Sequence, residues 1–154
     1  MPLPSTIHIR LDILGGIAGD MFIAAVLDAW PELADDALEA IRAAGVPAAI
    51  KIALAEHRDD VLVGKRFSVD EPHDGGHSAH VRFLDIVRRL REAPLDPCVR
   101  ERALAIFGLL AQAEAGVHGV AVDDVTFHEL GAWDSIADIV GAACILEALR
   151  PVTW

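Results

Sequence analysis

The segment Phe127–Gly141, FHELGAWDSIADIVG, constrains this chain more than any other stretch. It sets His128, Glu129, Asp134 and Asp138 at the head of a helix that is then nearly uncharged. A helix that apolar must be packed on most of its surface. Carboxylates and an imidazole at its head are costly to desolvate unless a cation or a hydrogen-bond network compensates them. The fold must therefore bury the helix and solvate, neutralise or employ its head.

At 100° per residue, Ile136, Ile139, Val140, Ala143 and Leu146 share one face of this helix, expected over about Ser135–Leu149. Asp134 and Asp138 share the opposite face, which continues as Gly141, Ala142 and Ile145. Two readings stand. Asp134 and Asp138, with His128 and Glu129 upstream, supply oxygen and nitrogen ligands to a divalent metal. Alternatively, Asp134 caps the helix and Asp138 favours its dipole.

The rest of the chain reads as mixed α+β, with a small sheet of about three to four strands covered by about five helices. Ile7–Ile13 alternates apolar and polar residues as a strand does. A glycine-rich turn follows, and Asp20 is placed to cap a helix from Met21 to about Trp30. Pro31 separates it from a helix over about Glu32–Ala44, closed by Gly45. Ile50–Glu56 and Val61–Val69 read as a hairpin, although the turn between them lacks glycine. A helix is expected from His80 to about Glu92, and a longer one from about Cys98 to Val117, ended by Gly119. Val152–Trp154 opens a further strand. The 154 residues fit one domain.

Charge narrows the function classes. With 24 acidic and 13 basic residues the net charge is −11, which opposes general nucleic-acid binding and suits either cation binding or a plain soluble surface. Cys98 and Cys144 are the only cysteines and have no CxxC spacing, against a disulfide framework or zinc ribbon. The longest apolar run, Ile139–Leu146, is too short to span a bilayer, and the start shows no signal-peptide pattern, so the expected location is cytoplasmic.

Three further clusters carry chemistry. Glu114 and His118 are one turn apart, as a carboxylate orienting a metal-binding imidazole or as a surface pair. His73, His77 and His80 surround the Gly75-Gly76 turn, as nickel, zinc or copper ligands or as incidental loop residues. Leu14–Asp20, LGGIAGD, joins strand to helix. Its Gly15, Gly16 and Gly19 either let backbone N–H groups cradle a phosphate, with Asp12 and Asp20 holding a bridging metal, or simply form a tight turn. It matches neither the P-loop nor GxGxxG, and nucleophile-elbow and zincin motifs are missing from the sequence.

Four segments in order, Asp12–Met21, His77–Ile86, Ala113–Gly119 and Phe127–Gly141, resemble the N-terminal part of the LarC family. These are nickel insertion proteins that complete the nickel-pincer nucleotide cofactor of lactate racemase and related enzymes. The resemblance covers nearly the whole chain and is most specific in its last segment. It implies insertion of Ni²⁺ into a pyridinium bisthiocarboxylate mononucleotide, a lyase-class chelation dependent on CTP and a divalent cation such as Mn²⁺ or Mg²⁺. It casts His77 and His80 as nickel capture, and His118, His128, Asp134 and Asp138 as metal site. Glu129 or His128 becomes the base, and Asp12, Gly15, Gly16, Gly19 and Asp20 the phosphate and substrate seat. The family's first motif usually has serines where this chain has Gly15 and Ala18. Its members also extend into a C-terminal domain, so residues 1–154 are expected to be a single N-terminal domain, with CTP used through the part not present. Two rival readings are a non-catalytic nickel-binding module that partners a separate C-terminal half, and a metal-dependent phosphatase or nucleotide hydrolase.

Overall fold

The computed structural model describes residues 7–13, 16–70, 81–127, 133–150 and 152–154. Five α-helices and six strands are described. They are β1 (Ile7–His8), α1 (Gly19–Ala29), α2 (Ala34–Ala43), β2 (Lys51–Arg58), β3 (Val63–Asp70), β4 (Val81–Arg82), α3 (Phe83–Glu92), α4 (Pro97–His118), β5 (Thr126–Phe127), α5 (Trp133–Ala148) and β6 (Val152–Thr153). The architecture is α+β, as expected. The single sheet is not. The strands form three separate two-stranded pairs: β1 parallel to β6, and β2–β3 and β4–β5 antiparallel.

The apolar α5 lies at the centre, packed by α1, α2 and α4. Ile136, Ala137, Val140, Gly141, Ala143 and Ile145 are all buried, so burial runs round most of the helix. Gly141 permits this. A Cβ there would stand 3.0 Å from Ile23 Cδ1 and 3.1 Å from Ile41 Cδ1, so the missing side chain lets α5 approach α1 and α2 closely. Ile23, Val26 and Leu27 of α1 follow the i, i+3, i+4 spacing of an inward face. Each such large side chain contributes about 1.5–3 kcal/mol on burial.

Helix α4 runs antiparallel to α5. Arg102 near its start bonds Glu147 near the end of α5, and Ile106 lies beside Ile139 and Ala142. The C-terminal end of α4 is therefore at the same end of the pair as the head of α5. Asp96 caps α4 by accepting the N–H groups of Cys98 (2.8 Å) and Val99 (3.3 Å), with Pro97 in the first turn. Gly119 closes it in the left-handed conformation at φ 67°. A second aromatic layer, Phe83, Phe107 and Phe127, ties α3 and α4 to β5; the Phe83 and Phe127 rings meet edge to face at 6.3 Å.

The hairpin forms as expected, with its strands shifted by one or two residues at each end and paired from Lys51 with Asp70 through Arg58 with Val63. Its turn needs no glycine because Asp59 Oδ1 accepts the N–H groups of both Val61 and Leu62 at 2.7 Å. Those bonds to the charged form hold the Asp59 carboxyl below its usual pKa. Of the boundaries that differ, three have a visible cause. The first strand stops at His8 because its partner β6 is two residues long. Helix α3 starts at Phe83 because Val81–Arg82 pairs with Thr126–Phe127 instead. Helix α2 starts at Ala34, after a 3₁₀ turn over Pro31–Leu33.

Candidate metal and substrate site

The start of α1 meets the first turns of α5. Gly19 makes the meeting possible. A Cβ on Gly19 would fall 2.6 Å from Asp138 Oδ2 and 2.7 Å from Asp138 Cβ, distances no side chain tolerates. The backbone N–H of Asp20 donates to the Asp138 carboxylate. Two motifs more than a hundred residues apart in sequence thus share one carboxylate.

Asp138 is half-buried and Asp134, one turn before it, is exposed. The Asp138 pKa is pushed up to about 6. Burial is the largest cause, followed by the neighbouring charges of Asp20 and Asp134; the Asp20 N–H works in the opposite direction. Asp138 thus bears the repulsion of a carboxylate on either side while half-buried, an arrangement of the kind found where a carboxylate has a task.

The expected caps are corrected. Asp20 does not cap α1. That helix begins at Gly19 with Ala18 in the cap position, and Asp20 lies in the first turn, accepting the Met21 N–H at 2.8 Å. Asp134 is likewise inside α5, which starts at Trp133, and accepts the Ser135 N–H at 2.6 Å. The Trp133 ring is covered by the Arg89 guanidinium 4.2 Å above its centroid, which ties α3 to the head of α5.

Beside Asp138 opens an apolar cleft of about 350 Å³. Leu11, Ile17, Phe22, Ile106 and Ile139 form its walls, and Gly19 and Asp138 its polar edge. Its chemistry suits a flat apolar or aromatic group whose polar substituents reach Asp138. On the other side of the α1 start is a second cleft, of about 390 Å³, bordered by Asp20, Met21 and Ala24 and by His57, Lys65, Arg66 and Phe67 of the hairpin.

The expected site residues fall into three groups. Gly19, Asp20 and Asp134 each neighbour Asp138. His118 pairs with Glu114 (3.2 Å) at the end of α4, both partly exposed, and Asp12 is exposed and borders neither cleft. Gly16 is at φ 111° in open space. Gly15, His77, His80, His128 and Glu129 lie outside the described residues, as does the rest of the His73–His80 loop. Among the described residues no group of three or more His, Cys, Asp or Glu side chains stands ready to hold a metal ion. The sequence reading placed Asp20 with Asp12 on a metal bridging to a phosphate and missed its pairing with Asp138. It also missed Lys65, Arg66 and the apolar walls; the one local signal was Gly64-Lys65-Arg66, basic residues beside a glycine in an acidic chain.

The first and last motifs thus meet around one carboxylate beside an apolar cleft, and comparison gives a chain built this way its family. The chain belongs to the nickel insertion protein family, whose match spans residues 9–153. It is 44% identical over 146 residues to a putative nickel insertion protein of Myxococcus xanthus, covering 90% of this chain and 35% of that protein. It is 35% identical to the pyridinium-3,5-bisthiocarboxylic acid mononucleotide nickel insertion protein of Geobacillus kaustophilus, covering 91% of this chain and 35% of that one. With the similarly named protein of Akkermansia muciniphila the identity is 40%, again over 90% and 35%. The chain therefore spans about a third of the length of these relatives. No solved structure matches it. No helix among the described residues is long and apolar enough to cross a membrane.

Proposed function

We propose that this chain forms the metal- and ring-binding part of a protein that inserts Ni²⁺ into a pyridinium-bisthiocarboxylate mononucleotide. The observation that carries the reading is the convergence of Asp20 and Asp138, with Asp134 beside them, at the edge of an apolar cleft. Family membership supplies the metal and the substrate class.

In this reading Ni²⁺ is a substrate. The carboxylates of Asp20, Asp134 and Asp138 hold it and replace part of its water shell, and the ion relieves their mutual repulsion. His128 completes the set with an imidazole, a usual nickel ligand, and His77, His80 and His118 bring the ion in. Leu11, Ile17, Phe22, Ile106 and Ile139 exclude water around the pyridinium ring. Nickel takes the place of a proton on the ring carbon, and Glu129 or His128 accepts that proton. CTP and its divalent cation, Mg²⁺ or Mn²⁺, act through the part of the relatives that this chain does not span.

A second reading, carried by the same carboxylates, is a nickel-holding module that partners a separate C-terminal half for chemistry. The phosphatase reading loses support, because Asp12 does not join Asp20 at either cleft. Equilibrium dialysis against Ni²⁺ tests the shared core of both surviving readings. Wild type should bind stoichiometrically and the Asp20→Asn/Asp138→Asn double variant should not. Equal binding by both would remove the carboxylates from the metal site.

A further inference from the structure

The second cleft has the opposite electrostatic character. In a chain of net charge −11 with only two lysines, one of them, Lys65, meets Arg66 and His57 around a single concavity. Lys65 is half-buried. Among the described residues neither Lys65 nor Arg66 forms an ion pair, although Glu56 is the cross-strand neighbour of Lys65. The floor is apolar, with Phe67 only 2% exposed. Unneutralised cationic groups over an apolar floor attract an anion more strongly than the same groups in open water.

The position of this cleft matters as much as its charge. Asp20 borders it, while the Asp20 N–H holds Asp138 at the edge of the apolar cleft. The two concavities therefore adjoin across the first turn of α1. A ligand with a flat ring in the apolar cleft and a metal-binding group at Asp20 and Asp138 can extend an anionic tail to Lys65 and Arg66. Its volume is at the lower end of that typical for small-molecule sites.

We infer that Lys65, Arg66 and His57 form the seat for the phosphate of a pyridinium mononucleotide. This rests on the nickel-insertion reading and moves the phosphate from the Gly15–Asp20 turn to the hairpin. Electrostatics favours the move. A phosphate in the turn would face Asp20 and Asp138 with no cation beside them, whereas in the hairpin cleft, which Asp20 also borders, two permanent cations outweigh that one carboxylate.

The test uses nicotinic acid mononucleotide and nicotinic acid riboside, which differ only in the phosphate, titrated calorimetrically into the Ni²⁺-equilibrated chain. Wild type should prefer the mononucleotide by about tenfold or more, the scale of one charge-assisted contact. Lys65→Ala/Arg66→Ala should erase that preference without changing riboside affinity, and Lys65→Arg/Arg66→Lys should restore most of it. Equal binding of the two probes by wild type, no mononucleotide binding at all, or a preference intact in the alanine variant overturns the inference. Dialysis against Ni²⁺ alone, run on the same samples, separates the two levels. Failure to bind nickel sinks the underlying reading. Nickel binding with no phosphate preference sinks only the hairpin seat.

Discussion

Replacing Asp138 with asparagine should make the protein more stable at neutral pH while abolishing its affinity for nickel. The Asp138 pKa lies near 6 in the folded chain, against 3.8 for an unperturbed aspartate. A shift of about two units corresponds to about 3 kcal/mol at 1.36 kcal/mol per unit. Asp138 retains contact with water, and screening reduces the stability effect to about 1–2 kcal/mol. The direction follows from linkage. The folded state holds the proton more tightly than the unfolded one, so stability is highest below pH 4 as far as this group is concerned. It falls as pH rises from about 4 to 6 and stays reduced above. Asparagine keeps an oxygen for the Asp20 N–H and carries no charge. Urea denaturation at pH 4 and pH 7.5 should show the two proteins alike in acid and Asp138→Asn about 1–2 kcal/mol more stable at pH 7.5. Saturating Ni²⁺ should reverse that order by stabilising wild type alone. An asparagine variant that is less stable than wild type at pH 7.5 without metal would refute the reasoning, since the carboxylate would then be compensated by something other than a cation.

Gly19→Ala should cost Ni²⁺ affinity at least as much as it costs stability, because its Cβ collides with Asp138; dialysis beside thermal melting separates the two. Asp96→Ala removes the double cap of α4 and should lower stability by about 1 kcal/mol in urea. Gly108→Ala and Gly116→Ala sit in α4 with open space around the new Cβ, and each should raise stability by about 0.5–1 kcal/mol. Phe127→Ala, at 1% exposure among Phe83 and Phe107, should cost about 3–5 kcal/mol, measured by the same denaturation.

Local pattern was enough to place the long helices and the hairpin, because their apolar periods are set within ten to twenty residues. It placed α4 to within one residue at each end, with Pro97 and Gly119 as its punctuation. It failed where a partner distant in sequence decides. Val81 and Arg82 continue the amphipathic pattern of the helix that follows, yet they pair with β5. The expected strand Ile7–Ile13 alternates correctly, yet only its first two residues find a ladder. The candidate site divides in the same way. Asp134 and Asp138 could be chosen from helix geometry alone. The contact of Gly19 and Asp20 with Asp138 could not, since a glycine that allows close approach to a distant side chain looks the same in sequence as one that allows a turn. Lys65 and Arg66 escaped notice because strand residues acquire a shared concavity only once α1 has packed beside them.

The parallel pairing of β1 with β6 also has a kinetic meaning. Ile7 and His8 bond Val152 and Thr153, and the Ile9 N–H adds a bond of 2.8 Å to the Thr153 carbonyl. Closing so long a loop for so few hydrogen bonds is entropically unfavourable until the intervening helices have already condensed. The strand leading towards Gly19 is therefore fastened late in folding, and a ribosome must release almost all of this sequence before that clasp can shut. The packing of α1 on α5 that brings the Asp20 N–H to Asp138 belongs to the condensed helices, so it precedes the clasp, which then fixes the chain on either side of it.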